Sequence, residues 1–192
     1  LAGVVLELER RGAETVQFVT PTHQLPVIVS ALRRARDKGF DRPVVWNCGG
    51  YESIEALRLV EGIVDVYLPD LKHGDDTEGR LAGVTDYFSC PTEAITEMHR
   101  QVGDLVPPDR GISARGLLVR HLVLPDDAAK SEAALQFLAG LSRETVVNVM
   151  GQFQPVYQLR NHERLGRRVA GAEVEAVLAQ AKALGLHRAF SH

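Results

Sequence analysis

The chain has 192 residues, of which 45% are hydrophobic and 24% charged, and its formal net charge is -3. This length suits one domain with a full core, and the negative charge argues against a general nucleic-acid binder. No apolar run approaches the roughly 20 residues that span a bilayer, and no signal peptide is visible. We therefore expect a cytoplasmic protein with no nucleic-acid or membrane partner. The only cysteines, Cys48 and Cys90, are too few and too far apart for a disulfide framework.

Strand-like and helix-like patterns alternate along the chain. Helical spacing of apolar residues predicts helices over 1–12, 24–38, 53–60, 91–102, 126–141 and 171–184. Short apolar runs predict strands over 15–20, 43–47, 64–68, 116–124 and 145–150, with a further short strand at 87–89. The segments 104–115 and 152–169 read as loops. Repeated alternation of strand and helix predicts a parallel sheet with helices outside it.

The glycine pattern helps to choose between the two parallel-sheet architectures. No glycine-rich loop of the dinucleotide or P-loop type follows any predicted strand, which favours a barrel over a nucleotide-binding open sheet. We see no domain boundary and expect a single domain over 1–192. The chain starts inside a predicted helix and without a methionine, so we expect that residues before Leu1 belong to the natural protein.

Polar, glycine-containing clusters follow successive predicted strands. In parallel barrels the active site lies at the carboxyl ends of the strands. Those ends here read Thr20-Pro21-Thr22-His23, Asn47-Cys48-Gly49-Gly50-Tyr51, Pro69-Asp70-Leu71-Lys72-His73 and Gly151-Gln152-Phe153-Gln154-Pro155. Loops are polar in any protein, but clusters at successive strand ends are what a shared pocket requires. We interpret them as one pocket that includes His23.

Asp70 and Lys72 form the most informative pair. Both continue the parity of the predicted strand before them, so both side chains lie on one face if the strand persists. That face can hold a ligand hydroxyl or amine on Asp70 and a carboxylate on Lys72. The alternative is a solvated ion pair in a loop, which stabilises a protein little. The residues alone leave both interpretations open.

Arg120 and His121 interrupt the longest apolar strand. Adjacent strand residues face opposite sides, so only one of the two enters the barrel. A buried arginine is costly unless it is paired, and we favour Arg120 over His121 as the functional residue. Either residue can instead pair with a buried carboxylate for structural reasons. Free cysteines are usually small buried hydrophobes, which favours a packing role for Cys48 and Cys90.

Five segments, in this order, resemble the radical S-adenosylmethionine proteins related to the pyruvate formate-lyase activating enzymes. The segments are VTPTH at 19–23, NCGGY at 47–51, YLPDLK at 67–72, EMHRQVG at 97–103 and RHLVLP at 120–125. The resemblance covers nearly the whole chain. It implies an α/β fold, a partial parallel (β/α) barrel of the radical S-adenosylmethionine type. Its first strand would be missing here, and about five parallel strands would remain.

The resemblance also implies an oxidoreductase. In that family a [4Fe–4S] cluster reductively cleaves S-adenosylmethionine to a 5′-deoxyadenosyl radical, which abstracts a hydrogen atom. In activating enzymes the hydrogen comes from a glycyl radical enzyme, and a protein such as flavodoxin donates the electron. Another protein or a small metabolite can replace the glycyl radical enzyme as the hydrogen donor. Cys48 stands where the true activating enzymes have another residue, which points to a relative with a different substrate.

The same resemblance implies the cofactor-binding residues. Asp70 and Lys72 match an Asp-Leu-Lys segment that contacts the methionine portion of S-adenosylmethionine, and Arg120 matches an arginine on the penultimate strand. The remaining positions are at other strand ends, namely Asn47, Gly49, Gln152, Thr20, Thr22 and His23. The last three of these lie where activating enzymes carry a Gly-Gly-Glu motif, which this sequence does not have.

The cluster motif Cys-x-x-x-Cys-x-x-Cys is absent. The resemblance places it before Leu1, so this segment alone is expected to be inactive and to hold no metal. A second hypothesis is a cluster-free barrel that binds a small molecule or a partner without catalysis. A third is a barrel aldolase or lyase that uses Lys72 as a Schiff-base nucleophile. That role requires a desolvated lysine, and we rank it last because Asp70 favours the charged form.

Overall fold

The computed structural model describes residues 1–80, 83–106 and 114–191. Within these ranges, seven α-helices and six strands follow one another in the order α1 Ala2–Arg10, β1 Val16–Val19, α2 Leu25–Arg36, β2 Val44–Cys48, α3 Ile54–Leu59, β3 Val66–Pro69, α4 Asp76–Gly79, α5 Ser89–Val102, β4 Gly116–Leu122, α6 Ser131–Leu141, β5 Val146–Met150, α7 Gly171–Ala183 and β6 Ala189–Phe190. In the same part of the chain, no helix has the length and apolarity to cross a membrane.

The six strands form one sheet in the order β1-β2-β3-β4-β5-β6, and every neighbouring pair is parallel. Each connection therefore moves one strand along the sheet in the same direction, as in a barrel and unlike a doubly wound sheet. The carboxyl ends of all six strands consequently meet at one edge. That edge is where the predicted polar clusters lie.

The hydrophobic core lies between the helices and one face of the sheet. Strand alternation explains this, because odd-numbered residues from Leu117 to His121 on β4 are buried against the helices. The even-numbered residues from Leu118 to Leu122 lie on the opposite face and are partly exposed. We call this opposite face the inner face. On β2 it carries Val45 and Asn47, because the core contains Trp46 and Cys48.

Five of the strands predicted from apolar runs lie at their predicted positions, as β1 to β5. The short strand predicted at 87–89 is wrong, because Tyr87 and Phe88 lie in a turn and Ser89 begins α5. The Asp76 carboxylate accepts the backbone N–H groups of Phe88 at 2.6 Å and Ser89 at 3.1 Å. These bonds satisfy helix-terminal donors and start α5 before Pro91, the predicted first turn.

Two further differences come from short-range geometry. The helix predicted to start at Asp126 or Asp127 starts at Ser131 instead, because Asp126, Asp127 and Lys130 all have positive φ. Asp127 still accepts the N–H of Ser131 at 3.1 Å. Strand β6 was not predicted, since its two residues are too few to show a period.

Candidate functional site

Four residues of the inner face and its carboxyl edge form one charged group, which we call the Asp70 cluster: Asp70, Lys72, Arg120 and Asn47. Lys72 Nζ lies 2.9 Å from Asp70 Oδ2, and Arg120 Nη2 lies 2.6 Å from Asp70 Oδ1. Arg120 Nη2 also donates to Asn47 Oδ1 at 2.8 Å. The structure thus brings together four of the site residues predicted from sequence, contributed by β2, by β4 and by the segment that follows β3.

The segment that carries Asp70 and Lys72 is held as an extension of the sheet. The N–H of Asp70 donates to the Cys48 carbonyl at 3.1 Å, and the N–H of Leu71 donates to the Arg120 carbonyl at 2.8 Å. Leu71 itself is fully buried in the core. Because the backbone pairing persists beyond the end of β3, Asp70 and Lys72 keep the shared face that their parity predicts.

His121 supports this segment from the helix side of the sheet. Its Nδ1 donates to the Leu71 carbonyl at 2.6 Å, and its Nε2 accepts the Ser131 hydroxyl at 2.9 Å. Burial lowers the pKa of His121 to about 4. The ring is therefore neutral at pH 7 and uses both nitrogens for fixed partners. Arg120 is the residue that enters the inner face, as favoured from sequence, while His121 has a structural position.

Tyr87 fixes the other end of the segment. The N–H of Lys72 donates to the Tyr87 hydroxyl at 3.1 Å, and His73 packs edge-on against the Tyr87 ring at 5.1 Å between centroids. Burial raises the pKa of Tyr87 to about 12, so the hydroxyl stays protonated. The backbone on both sides of Lys72 is thereby set before any ligand binds.

Gly50 is a site residue that the sequence reasoning did not select. Its φ is +82°, and a Cβ at this position would collide with the carbonyl oxygen of Asp70. Gly49, which was selected, is exposed, and a Cβ there would meet no atom within 4 Å. The Gly-Gly pair was the signal in the sequence that could have identified it. The second glycine allows the loop after β2 to approach the backbone of Asp70 after β3.

The residues predicted at the end of β1 are less tightly connected to the Asp70 cluster. Thr20 is exposed with φ +50°, and its N–H donates to the Asn47 carbonyl at 2.8 Å. The Thr22 hydroxyl donates to the Glu52 carboxylate, whose pKa is raised by burial. His23 is exposed. In the described ranges, no hydrogen bond joins the side chains of Thr22 or His23 to the Asp70 cluster.

Two other candidates lie apart from the cluster. Gln152 is exposed, two residues beyond the end of β5. Cys48 is buried on the helix side, and burial raises the pKa of its thiol, which opposes thiolate chemistry. The Cys90 thiol donates to the Glu52 carbonyl at 3.8 Å. Both cysteines therefore have the packing role favoured from sequence.

Asn148 is a second residue that sequence reasoning missed. It lies in the middle of β5, in register with Arg120, and is only 8% exposed. Its Oδ1 is buried and makes no hydrogen bond within the described part of the chain, and the same is true of Arg120 Nε. The signal was an asparagine inside the apolar run VVNVM. Two unpaired buried polar atoms on adjacent strands fit a site that is completed by a ligand.

The donor set does not fit an iron–sulfur cluster. Among the described residues, no group of three or more His, Cys, Asp or Glu side chains is arranged to hold a metal ion. The whole sequence contains only two cysteines, and neither a [2Fe–2S] nor a [4Fe–4S] cluster is held by two. A polar organic ligand fits better, since the inner face offers charges, an amide and unpaired hydrogen-bonding atoms.

The comparisons with known proteins give one relative and one structural neighbour of note. No family model matches this sequence. An uncharacterized protein of Methanocaldococcus jannaschii is 32% identical over 186 residues, which is 95% of this chain and 50% of that protein. The chain thus spans about half the length of the curated relative that it matches.

The structural neighbour is a domain of pyruvate-formate lyase-activating enzyme from Bacteroides vulgatus. The match covers 93% of this chain and 97% of that domain, with a TM-score of 0.62 and 16% sequence identity. The resemblance inferred from the motifs is therefore confirmed at the level of the fold. The chain has the α/β fold of that domain, with six parallel strands in consecutive order and helices between them.

Proposed function

We propose that the Asp70 cluster binds S-adenosylmethionine and that the full-length protein is a radical S-adenosylmethionine oxidoreductase. Its reaction is the reductive cleavage of S-adenosylmethionine, which yields a 5′-deoxyadenosyl radical for hydrogen abstraction. The observation that carries this proposal is the position of the Asp70 cluster. Its charges converge at the carboxyl edge of a sheet whose fold matches an activating-enzyme domain.

The charge balance of the cluster favours an anionic ligand group. Asp70 contributes one negative charge, while Lys72 and Arg120 each contribute a positive one, so the group carries a net charge of about +1. Lys72 is 38% exposed at its side chain and has further N–H donors besides the one on Asp70. It can therefore bind the carboxylate of the ligand's methionine portion. Asp70, held between two cations, orients both of them.

The remaining parts of the activity belong to the longer protein. A [4Fe–4S] cluster would supply the electron, and we place its ligands outside this sequence, before Leu1. The hydrogen donor is a glycyl radical enzyme, another protein or a small metabolite, and the electron donor is a protein of the flavodoxin type. The proposed location is the cytoplasm.

A cluster-free binding barrel is the second candidate function. It is favoured because this sequence has only two cysteines, too few to hold an iron–sulfur cluster, and because the described residues contain no group arranged to hold a metal ion. A Schiff-base lyase is not supported. Lys72 is partly exposed and lies 2.9 Å from a carboxylate, so it is not the desolvated lysine that this chemistry needs.

Anaerobic reconstitution of the full-length protein with iron and sulfide tests the proposal. After reduction in the presence of S-adenosylmethionine, we expect 5′-deoxyadenosine, measured by mass spectrometry. Asp70→Asn should abolish it, because Lys72 and Arg120 lose the carboxylate that orients them. The control is Asp126→Asn, which removes a surface carboxylate paired with Arg167. A reconstituted cluster with no cleavage would favour the binding barrel instead.

A further inference from the structure

The segment 152–169, which we call the β5 loop, differs from the rest of the chain in its charge. It follows β5 at the carboxyl edge of the sheet. It contains four arginines and one glutamate, a formal charge of +3, whereas the whole chain has a formal net charge of -3. The β5 loop is therefore a basic surface on an acidic protein, at the edge that also carries the Asp70 cluster.

The base of the β5 loop is fixed to its neighbours. Leu165 is 3% exposed and packs with Leu124 in the loop after β4. Arg167 pairs with Asp126 at 2.7 Å and with Glu173 of α7 at 2.7 Å. Because a buried side chain and two ion pairs hold this end of the loop, its exposed residues are preorganised for contact with another molecule.

The tip of the β5 loop exposes apolar surface. Leu159 packs partly buried against the same cluster as Leu165, but Val156 is 52% exposed and Tyr157 is 91% exposed. The value for Tyr157 is the largest among the large hydrophobic side chains in the described ranges. Arg160 is also exposed and lies one turn later in the same short 3-10 helix, Tyr157–Asn161. Tyrosine and arginine are enriched among the residues that contribute most to protein–protein binding.

The backbone of Tyr157 has a conformation that its side chain disfavours. Its φ is +49°, in the left-handed region where glycine is favoured. The exposed ring adds nothing to the core, so stability alone would favour glycine at this position. Backbone outliers of this kind cluster at binding sites and other functional sites. The tip thus combines an unfavourable conformation with an exposed aromatic ring, as expected of a residue that is there for binding.

We propose that the β5 loop is the docking surface for a protein partner whose contact region is acidic and carries an apolar side chain. Val156 and Tyr157 contact the apolar side chain, and Arg160 and Arg168 pair with carboxylates of the partner. The basic loop selects an acidic region, because opposite charges speed association and like charges exclude other partners. The inference does not depend on the proposed function, since none of these residues belongs to the Asp70 cluster.

The charge of the whole chain favours a protein partner over a nucleic acid. A nucleic acid extends its negative charge along its entire backbone. Beyond the β5 loop, that charge would meet a chain whose formal net charge is negative. A protein is able to place a few carboxylates against the loop alone.

Binding of two labelled peptides to the full-length protein, measured by fluorescence anisotropy, tests the apolar contact. One peptide is a run of glutamates around a single leucine, and the other has serine in place of the leucine. The wild type should bind the leucine peptide about tenfold more tightly, as expected for one buried leucine side chain. Tyr157→Gly should reduce this ratio to about twofold. Because glycine suits the positive φ, Tyr157→Gly should keep or raise the Tm.

A pair of double variants tests the charges. Arg160→Gln/Arg168→Gln should weaken binding of the leucine peptide about fivefold at low ionic strength. The matched control is Arg33→Gln/Arg34→Gln, which removes the same charge from exposed positions of α2. It should change binding by less than about twofold, because these residues lie outside the β5 loop.

Several outcomes would overturn the proposal. These are no binding of the leucine peptide, equal binding of the two peptides to the wild type, and equal weakening by the two double variants. A Tyr157→Gly variant with a clearly lowered Tm would assign Tyr157 to stability instead. A single-stranded oligonucleotide of the same charge that binds more tightly than the leucine peptide, and loses this binding in Arg160→Gln/Arg168→Gln, would assign the loop to a nucleic acid.

Discussion

The strand ends of β3 and β4 differ sharply from the end of β1, although both carried polar residues predicted to line one pocket. Asp70 lies between two cations, and its segment is tied to β2, β4, His121 and Tyr87. Thr20 and His23 at the end of β1 are exposed. The comparison shows that a polar strand end becomes a preorganised site only where neighbouring strands and the core fix its backbone.

The largest expected effect concerns the approach of the β2 loop to Asp70. Gly50→Ala should lower the free energy of unfolding by about 3 kcal/mol, because the new Cβ meets the Asp70 carbonyl and φ is positive. Urea denaturation measures the change. Gly49→Ala is the control next to it and should cost less than about 0.5 kcal/mol. Equal effects for the two alanines would contradict the packing of Gly50 against Asp70.

The pH dependence of stability tests the hydrogen bond that His121 donates to the Leu71 carbonyl. Because burial lowers the folded pKa of His121 from 6.5 to about 4, the unfolded chain binds the proton first as pH falls. The contribution of His121 is therefore fully present above pH 6.5 and is lost as pH falls towards 4. Its size is on the order of 3 kcal/mol.

The measurement for this prediction is urea denaturation at several pH values between 4 and 7. His121→Gln, which has no titration in that window, should show a shallower loss of stability than the wild type. The titration of the carboxylates is common to both proteins, so it cancels when one pH profile of stability is subtracted from the other. Parallel pH profiles for the two proteins would show that His121 is not held neutral.

A smaller effect is expected from the Asp70 ion pairs. Arg120→Met should lower the free energy of unfolding by about 2 kcal/mol, since it removes one of the two cations beside the nearly buried Asp70 and the donor to Asn47. Arg100→Met also removes two ion pairs, with Glu61 and Glu97, but its side chain is 53% exposed. Arg100→Met should lower the free energy of unfolding by no more than about 1 kcal/mol. Thermal unfolding of the two variants compares them directly.

The smallest expected effect is at the end of β1. Thr20 has φ +50°, a region that β-branched residues rarely occupy, so Thr20→Gly should raise the free energy of unfolding by about 1 kcal/mol. Thr22→Gly should instead lower it, because the hydrogen bond to Glu52 is lost. A destabilised Thr20→Gly variant would indicate that the Thr20 side chain makes a contact that the geometry does not show.

Sequence patterns predicted the parallel sheet because its five longer strands are apolar runs of ordinary length. They also predicted Asp70, Lys72, Asn47 and Arg120, since these residues follow or interrupt buried strands. Asn148 was missed because one asparagine in an apolar run has no local pattern. Its meaning comes from its register with Arg120, and register depends on contacts distant in sequence.

Gly50 illustrates the same limit at shorter range. The pair Gly49-Gly50 predicts a sharp change of direction, but only the placement of Asp70 on the next strand shows which glycine is sterically required. The start of α6 was misplaced for a different reason. Three residues with positive φ precede it, and the presence of aspartate or lysine in a sequence is not enough to predict that conformation.

The most direct test of the central claim is an anaerobic crystal structure of the full-length, reconstituted protein with S-adenosylmethionine. We predict that the ligand lies on the inner face, with its carboxylate within hydrogen-bonding distance of Lys72 or Arg120. A ligand bound at another edge of the barrel, with the Asp70 cluster left in contact only with solvent, would contradict it.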